Sequence, residues 1–407
     1  MTRQSTSERL AVDGGPPIRS TMLPYARQVI EERDIAAVAS ALRSDWLTTG
    51  PRVREFEQAL ERTTGARHAI VFSSGTAALH GATTVAGLGP GDEGLTTPIT
   101  FVATANAVIY TGATPTFADV RPGSLLIDPD AVARAITPRT KALLAVDYGG
   151  QPADYGRLRS IADGAPRGPL TIIADASHSL GAARDGRAVG TLADMTVLSL
   201  HPAKIITTGE GGAVLTGNEA FAGGLRRFRN HGISADLQAR RDWRYDMVEL
   251  GYNYRLTDVA CALGLAQLER LETFVAQRRA LVARYQRALG SHWAIDVPDV
   301  EPGSDPAWHL FVVQLRRDRL VVDRGQIYQA LRAEGIGVNV HYIPVHHHSW
   351  YRANHPQPAG SLPVADAAYE RLLTLPLFAG MTDGDVDDVV AALDKVTRAY
   401  RAPEAPS

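Results

Sequence analysis

The chain reads as an α/β protein, with a large unit built on a mostly parallel sheet followed by a smaller C-terminal α/β unit. Three observations carry this reading. Short strand-like runs recur at residues 69–72, 93–98, 115–118, 142–146, 171–174, 195–199 and 213–216, most of them apolar. Runs that are apolar without alternation suit strands covered on both faces. Two of them lead into polar clusters, Asp175-Ala176-Ser177-His178 and Ser199-Leu200-His201-Pro202-Ala203-Lys204. Ligands gather at the carboxyl ends of parallel strands, so a carboxylate, two imidazoles, a hydroxyl and a lysine converge on one edge. Finally, the run 69–72 passes straight into Ser73-Ser74-Gly75-Thr76-Ala77-Ala78-Leu79, which is strand, small-residue turn, helix. Backbone N–H groups and the helix dipole face such a turn, and an anion fits there. A plain Ser N-cap is the alternative use of the same residues.

Composition narrows the classes. At 407 residues, 45% hydrophobic and 21% charged, the chain is long enough for two domains and close to globular averages, which excludes disordered and fibrous proteins. A formal net charge of −2 leaves no electrostatic footprint for nucleic acid or an anionic membrane surface. The polar start, MTRQSTSERLAVDGGPPIRS, has no secretory apolar core, and no apolar run reaches membrane-spanning length, so the expectation is a cytoplasmic protein. The single cysteine, Cys261, lies in the helical run DVACALGLAQL and is expected to be a small core residue.

In order, residues 1–22 form an arm punctuated by Asp13-Gly14-Gly15-Pro16-Pro17, either packed on a partner subunit or frayed. Residues 31–43 have helical spacing with Ile35, Val38, Ala39 and Leu42 on one face, and a second helix runs through Phe56, Leu60 and Thr64. Gly87-Leu88-Gly89-Pro90-Gly91 resembles a dinucleotide loop only superficially; it follows a helix, and Pro90 removes an N–H, so it reads as a turn. A long helical pattern covers 258–289. Beyond it the small unit is predicted to hold a strand at 308–315, a helix at 325–333, a strand at 337–341 and a closing helix at 384–400. The resulting division is an arm at 1–22, a large unit at 23–270, a small unit at 271–400 and a tail at 401–407.

The edge constellation suits pyridoxal phosphate, which needs a lysine for its Schiff base, an acid opposite its pyridine nitrogen and donors for its phosphate. Lys204 is the candidate Schiff-base lysine and Asp175 the acid that keeps the ring nitrogen protonated. The run His346-His347-His348 raises a metal site, because imidazole is a common metal ligand. Neighbouring residues on one loop are not expected to converge on one ion, and no spaced carboxylate is apparent, so no metal is assigned.

The segments SSGTAALHG, ADASHSLG, SLHPAKIITTGEGG, LGYNYRLTDVACALGLAQL and GVNVHYIPVHHHSWY, in this order, resemble the DegT–StrS family of sugar-nucleotide aminotransferases. That resemblance covers nearly the whole chain from about residue 23 to 400. It implies the fold type I, aspartate aminotransferase-like architecture with a seven-stranded sheet, pyridoxal 5'-phosphate as cofactor, L-glutamate as amino donor and a nucleotide-linked keto sugar as acceptor. It further implies catalytic roles for Lys204, Asp175 and His178, with His178 on the ring's phenolic oxygen. Gly75, Thr76 and Ser199 would hold the phosphate, and Phe101 would stack on the ring. Asn253 would reach the partner's cofactor phosphate across a homodimer interface; the residues alone equally suit a turn before a helix capped by Thr257. Tyr25, Arg255, His341 and Tyr342 would bind substrate. Within the family, Asp147-Tyr148 and the three motifs around ASHSLG, HPAKIITTGEGG and VNVHYIPVH resemble the branch that aminates C4 of a UDP-linked 4-keto-6-deoxy sugar in the pseudaminic acid pathway. A dehydratase branch replaces the lysine with histidine, and Lys204 is kept here.

Overall fold

The computed structural model describes residues 9–234 and 243–403. All seven runs are strands of one sheet: β1 His68–Phe72, β2 Glu93–Thr96, β3 Thr114–Phe117, β4 Thr140–Val146, β5 Thr171–Asp175, β6 Met195–Ser199 and β7 Gly212–Thr216. Their order is β1-β7-β6-β5-β4-β2-β3. Only β7 runs against its neighbours; every pair from β6 across to β3 is parallel.

Register decides where the chemistry falls. Gly212 at the start of β7 pairs with Phe72 at the end of β1 and with Ser199 at the end of β6. Asp175 pairs with Val146, and β5 lies directly beside β6. The polar residues that follow β1, β5 and β6 therefore share one edge of the sheet.

Alternate residues of the strands enter different cores, which is why runs such as 69–72 and 142–146 are apolar throughout. Ile70, Phe72, Ile173, Val197 and Val214 pack with the helices Gly75–Val85 and Ala103–Tyr110. Ala69, Val71, Leu198 and Leu215 pack on the opposite side with Phe56 and Leu60 of the helix Pro51–Thr64. Phe56 is fully buried, and its truncation to alanine would cost about 3–5 kcal/mol. Cys261 is buried in the same core, as expected, and burial pushes its thiol pKa far up. The preceding helix, Glu32–Leu42, leaves Ile35 and Leu42 exposed.

The small unit is a three-stranded antiparallel sheet, Ile295–Asp296, Phe311–Leu315 and Leu372–Leu375, covered by the helices Leu271–Leu289, Arg324–Ala333 and Asp383–Ala399. Several expectations change here. The strand expected at 337–341 is only a single bridge between Asn339 and Thr374; the missing partner strand is Leu372–Leu375. The strand expected from 308 begins at Phe311, because Trp308 has φ +55°, outside the extended region. The helix expected over 258–289 is two helices, Asp258–Leu268 and Leu271–Leu289. Between them Arg270 leaves the helical region (φ −105°, ψ 7°) and turns its guanidinium into the protein against buried Asp34.

The arm is neither frayed nor detached over its described part. Leu10 and Leu23 enter the core of the small unit. The Glu334 carboxylate accepts the backbone N–H groups of Ala11 and Ile18 at 2.9 and 3.0 Å and pairs with Lys395 at 2.9 Å. At the other end, Arg401 bridges to Leu320 and stacks on Trp293, so the ordered chain runs beyond the expected boundary of the tail. Residues 1–8 and 404–407 lie outside the described residues. No helix among the described residues is long and apolar enough to cross a membrane.

Candidate active site

At the shared sheet edge lies a cavity of about 400 Å³. The ends of three strands meet beside it. Ser74 caps the helix Gly75–Val85, its Oγ accepting Ala77 N–H at 3.1 Å. A Cβ on Gly75 would stand 3.0 Å from Ser199 Cβ, and one on Gly212 would stand 2.5 Å from Ser74 O. Only glycine lets the ends of β1, β6 and β7 approach this closely. The helix N-terminus, Thr76 and Ser199 consequently line one cavity, a ready anion cradle.

Asp175 sits at the end of β5 with both oxygens engaged. Thr104 Oγ1 donates to Oδ2 at 2.6 Å, and Ser177 donates to Oδ1 from its hydroxyl at 2.6 Å and its N–H at 3.2 Å. Thr104 is in turn tied to Thr100 at 2.8 Å. The buried carboxylate is thereby fixed in direction and kept an acceptor. Lys204 occupies the turn after β6 and lines the same cavity. Burial brings its pKa down from the ordinary lysine value to about 8, against the opposing pull of Asp175.

A wall of rings faces the lysine. His178 Nε2 and the Tyr342 hydroxyl share a hydrogen bond at 3.0 Å, while His178 Nδ1 is buried with no partner among the described residues. The His309 ring packs against His178 at 4.6 Å between centroids, tilted by 54°. His341 Nδ1 and Thr374 Oγ1 share a bond at 2.8 Å. Burial, and then the charge on Lys204, holds His178 and His309 far below the usual imidazole range and His341 down to about 3. All three are neutral near pH 7. Tyr25 reaches the cavity from just beyond the arm, 5.4 Å from the His341 ring, and exposed Phe101 stands at the mouth, 6.1 Å from the Tyr342 ring.

Ten of the residues singled out in the sequence thus meet here: Tyr25, Gly75, Thr76, Phe101, Asp175, His178, Ser199, Lys204, His341 and Tyr342. Asn253 and Arg255 do not. Arg255 donates to Asn230 at 2.7 Å, and Asn253 is exposed beside the same residue. Sequence reasoning missed Thr104 and His309. Thr104 stands one helical turn past Thr100, and His309 immediately precedes an apolar run; nothing in their spacing ties either to β5. The histidine run also behaves differently from expectation. His346 and His347 converge after all, each sharing a hydrogen bond through Nε2 with the same Asp366 oxygen, at 2.8 and 2.9 Å.

Residues 28–394 match the model of the DegT/DnrJ/EryC1/StrS aminotransferase family. The chain belongs to that family. It is 38% identical over 385 residues to the spore coat polysaccharide biosynthesis protein SpsC of Bacillus subtilis, covering 93% of this chain and 98% of SpsC. Among solved structures, the PLP form of the putative sugar aminotransferase Spr1654 from Streptococcus pneumoniae superposes with a TM-score of 0.86 at 29% identity, covering 93% of this chain and 99% of that one. Helicobacter pylori PseC, an aminotransferase involved in pseudaminic acid biosynthesis, gives 0.86 and 29%, covering 93% and 100%. The fold is accordingly type I, and the chain is a sugar aminotransferase of this family. Family membership, with the PLP and PMP forms of Spr1654, indicates pyridoxal phosphate as cofactor. The site fits that group: it offers a glycine-built anion cradle, a fixed carboxylate, a lysine of lowered pKa and a buried imidazole nitrogen still without a partner.

Proposed function

We propose that this protein moves the amino group of L-glutamate to C4 of a UDP-linked 4-keto-6-deoxy sugar, UDP-2-acetamido-2,6-dideoxy-β-L-arabino-hexos-4-ulose. The product would be UDP-4-amino-4,6-dideoxy-N-acetyl-β-L-altrosamine, a precursor in nonulosonic acid synthesis. The observation that carries an aminotransferase mechanism is Lys204 and Asp175 in one cavity with the Gly75–Thr76 anion cradle. Support for the sugar comes from the likeness to PseC, an aminotransferase involved in pseudaminic acid biosynthesis, and from Asp147-Tyr148.

The residues divide the work. Gly75, Thr76 and Ser199 would hold the cofactor phosphate, Phe101 one face of its ring, and His178 its phenolic oxygen. Asp175 would hold a proton on the ring nitrogen. When bound, pyridoxal phosphate supplies an electron sink and a carrier for the amino group. Lys204 Nζ is the base that takes the proton from Cα of the donor and returns one to C4 of the acceptor. A pKa near 8 leaves part of it as free amine at neutral pH. Tyr25, His341 and Tyr342 would line the sugar side.

The active form would be a homodimer in the cytoplasm. Trp243, Met247 and Leu250, just ahead of Asn253, are exposed at 82%, 61% and 75%. A partner covering them would bring Asn253, and with it Arg255, to the neighbouring site. Light scattering that finds a fully active monomer would remove both residues from the mechanism.

The substrate is tested by single turnover. The enzyme is loaded with an amino group from L-glutamate, then mixed with UDP-, dTDP- and GDP-linked 4-keto and 3-keto sugars while the visible band of the aldehyde cofactor is followed. Recovery with the UDP-linked L-sugar alone supports the assignment. Recovery with another sugar moves the chain to another branch of the family, and no reaction with glutamate would favour a non-catalytic relative.

A further inference from the structure

We infer that His346, His347 and Asp366 form a binding site for one divalent transition-metal ion, zinc in preference, outside the active-site cavity. The three donor atoms, two imidazole nitrogens and one carboxylate oxygen, lie within 4.8 Å of one another. Both Nε2 atoms already address the same Oδ1 of Asp366, at 2.8 and 2.9 Å. Tetrahedral ligands about 2.0–2.1 Å from zinc stand about 3.3 Å apart, so the two imidazole–carboxylate contacts need open by only roughly half an ångström to admit an ion. Two imidazoles and one carboxylate match the borderline character of zinc and its neighbours, and unlike an all-oxygen set they do not suit calcium or magnesium.

The ligands are held from behind. The turn Val345–His347 is fixed by Val345 N–H donating to Pro98 O at 2.9 Å. The helix Pro363–Tyr369, which carries Asp366, is fixed at its start by Asp119, whose two oxygens accept Val364 N–H at 2.8 Å and Ala365 N–H at 2.9 Å. Such supports place ligands before the ion arrives. His346 Nδ1 has no partner among the described residues, so no donor locks that ring in the tautomer with its proton on Nε2. The side chains of His347 and Asp366 remain 33% and 39% exposed, which gives the ion an entry path and room for water in the open position. The ion would bridge the Pro363–Tyr369 helix to the loop that, four residues earlier, carries Tyr342 into the cavity.

The test uses tag-free holoenzyme freed of metal by a chelator and titrated with Zn²⁺ in a calorimeter. One ion per chain is expected to bind. Asp366→Asn and His346→Gln are each expected to weaken it by at least about 100-fold, the upper end seen even for outer-shell changes. His347→Gln, at a more exposed position, repeats the loss where a folding defect is least expected, and circular dichroism checks that each variant is folded. Co²⁺ in place of zinc should give visible ligand-field bands that vanish in the same variants. Absence of saturable binding, or binding that survives Asp366→Asn but is lost in His348→Gln, overturns the site.

Discussion

Asp147 and Asp175 stand at the ends of neighbouring strands, are both buried, and each carboxylate accepts three hydrogen bonds, yet they belong to different parts of the machine. Asp175 Oδ1 and Oδ2 are pinned by Ser177 and Thr104 at the cavity wall. Asp147 accepts Ala153 N–H at 3.0 Å, the Tyr155 hydroxyl at 2.7 Å and the Ser179 hydroxyl at 2.6 Å, and it does not line the cavity. The difference is one residue of register. Val146 pairs with Asp175 and shares its face, so Asp147 points the other way. Burial raises the Asp147 pKa to about 6 in spite of its donors. An aspartate at a strand end is therefore a site or a brace according to parity, and the brace holds the turn after β4 that presents Tyr148, whose hydroxyl donates to His341 O.

Mutation can sharpen or break that contrast. The largest effect belongs to the residue Asp175 serves: Lys204→Ala should lower turnover by about 10⁴-fold or more and abolish the visible cofactor band in an absorbance scan. Asp175→Asn should cost on the order of 100-fold in kcat with an unchanged Tm, as expected for loss of a preorganised charge; full activity would make Asp175 a second brace. Next is pH. A lysine lowered to about 8 gains reactive amine as pH rises towards that value. The rate at which apoprotein captures pyridoxal phosphate, read by stopped-flow absorbance, should climb about tenfold per unit below pH 8 and level off above it. An ordinary lysine would keep climbing past pH 10. Smallest is Asp147→Asn, with kcat retained and about 1 kcal/mol lost in denaturant unfolding, because Ser179 can reverse its hydrogen bond to meet the new amide.

The same parity explains what was legible in the sequence. Runs such as 69–72 and 142–146 announced strands because strands covered on both faces can be apolar at successive positions. The lysine, aspartate and anion turn were legible because each directly follows such a strand. Leu372–Leu375 is as apolar as the runs that were read, but Pro376 follows it at once and no polar cluster marks its end, so nothing singled it out as the partner strand of the small sheet. Thr104, His309 and Asp366 were invisible for a different reason. Each acts on a residue far along the chain, 71 positions away for Thr104 and 20 or 19 for Asp366, and no local spacing encodes that. The break at Arg270 was hidden likewise, since it depends on Asp34, 236 residues earlier.

The arm has a consequence for synthesis. Residues 10–25 leave the ribosome early, but their anchors, Glu334 and Lys395, lie 323 and 379 residues beyond Ala11 and Pro16. Contacts over such separations close last. A nascent chain with its central sheet already formed would still lack the Tyr25 wall, and the substrate side of the cavity would be completed only when the C-terminal helix docks.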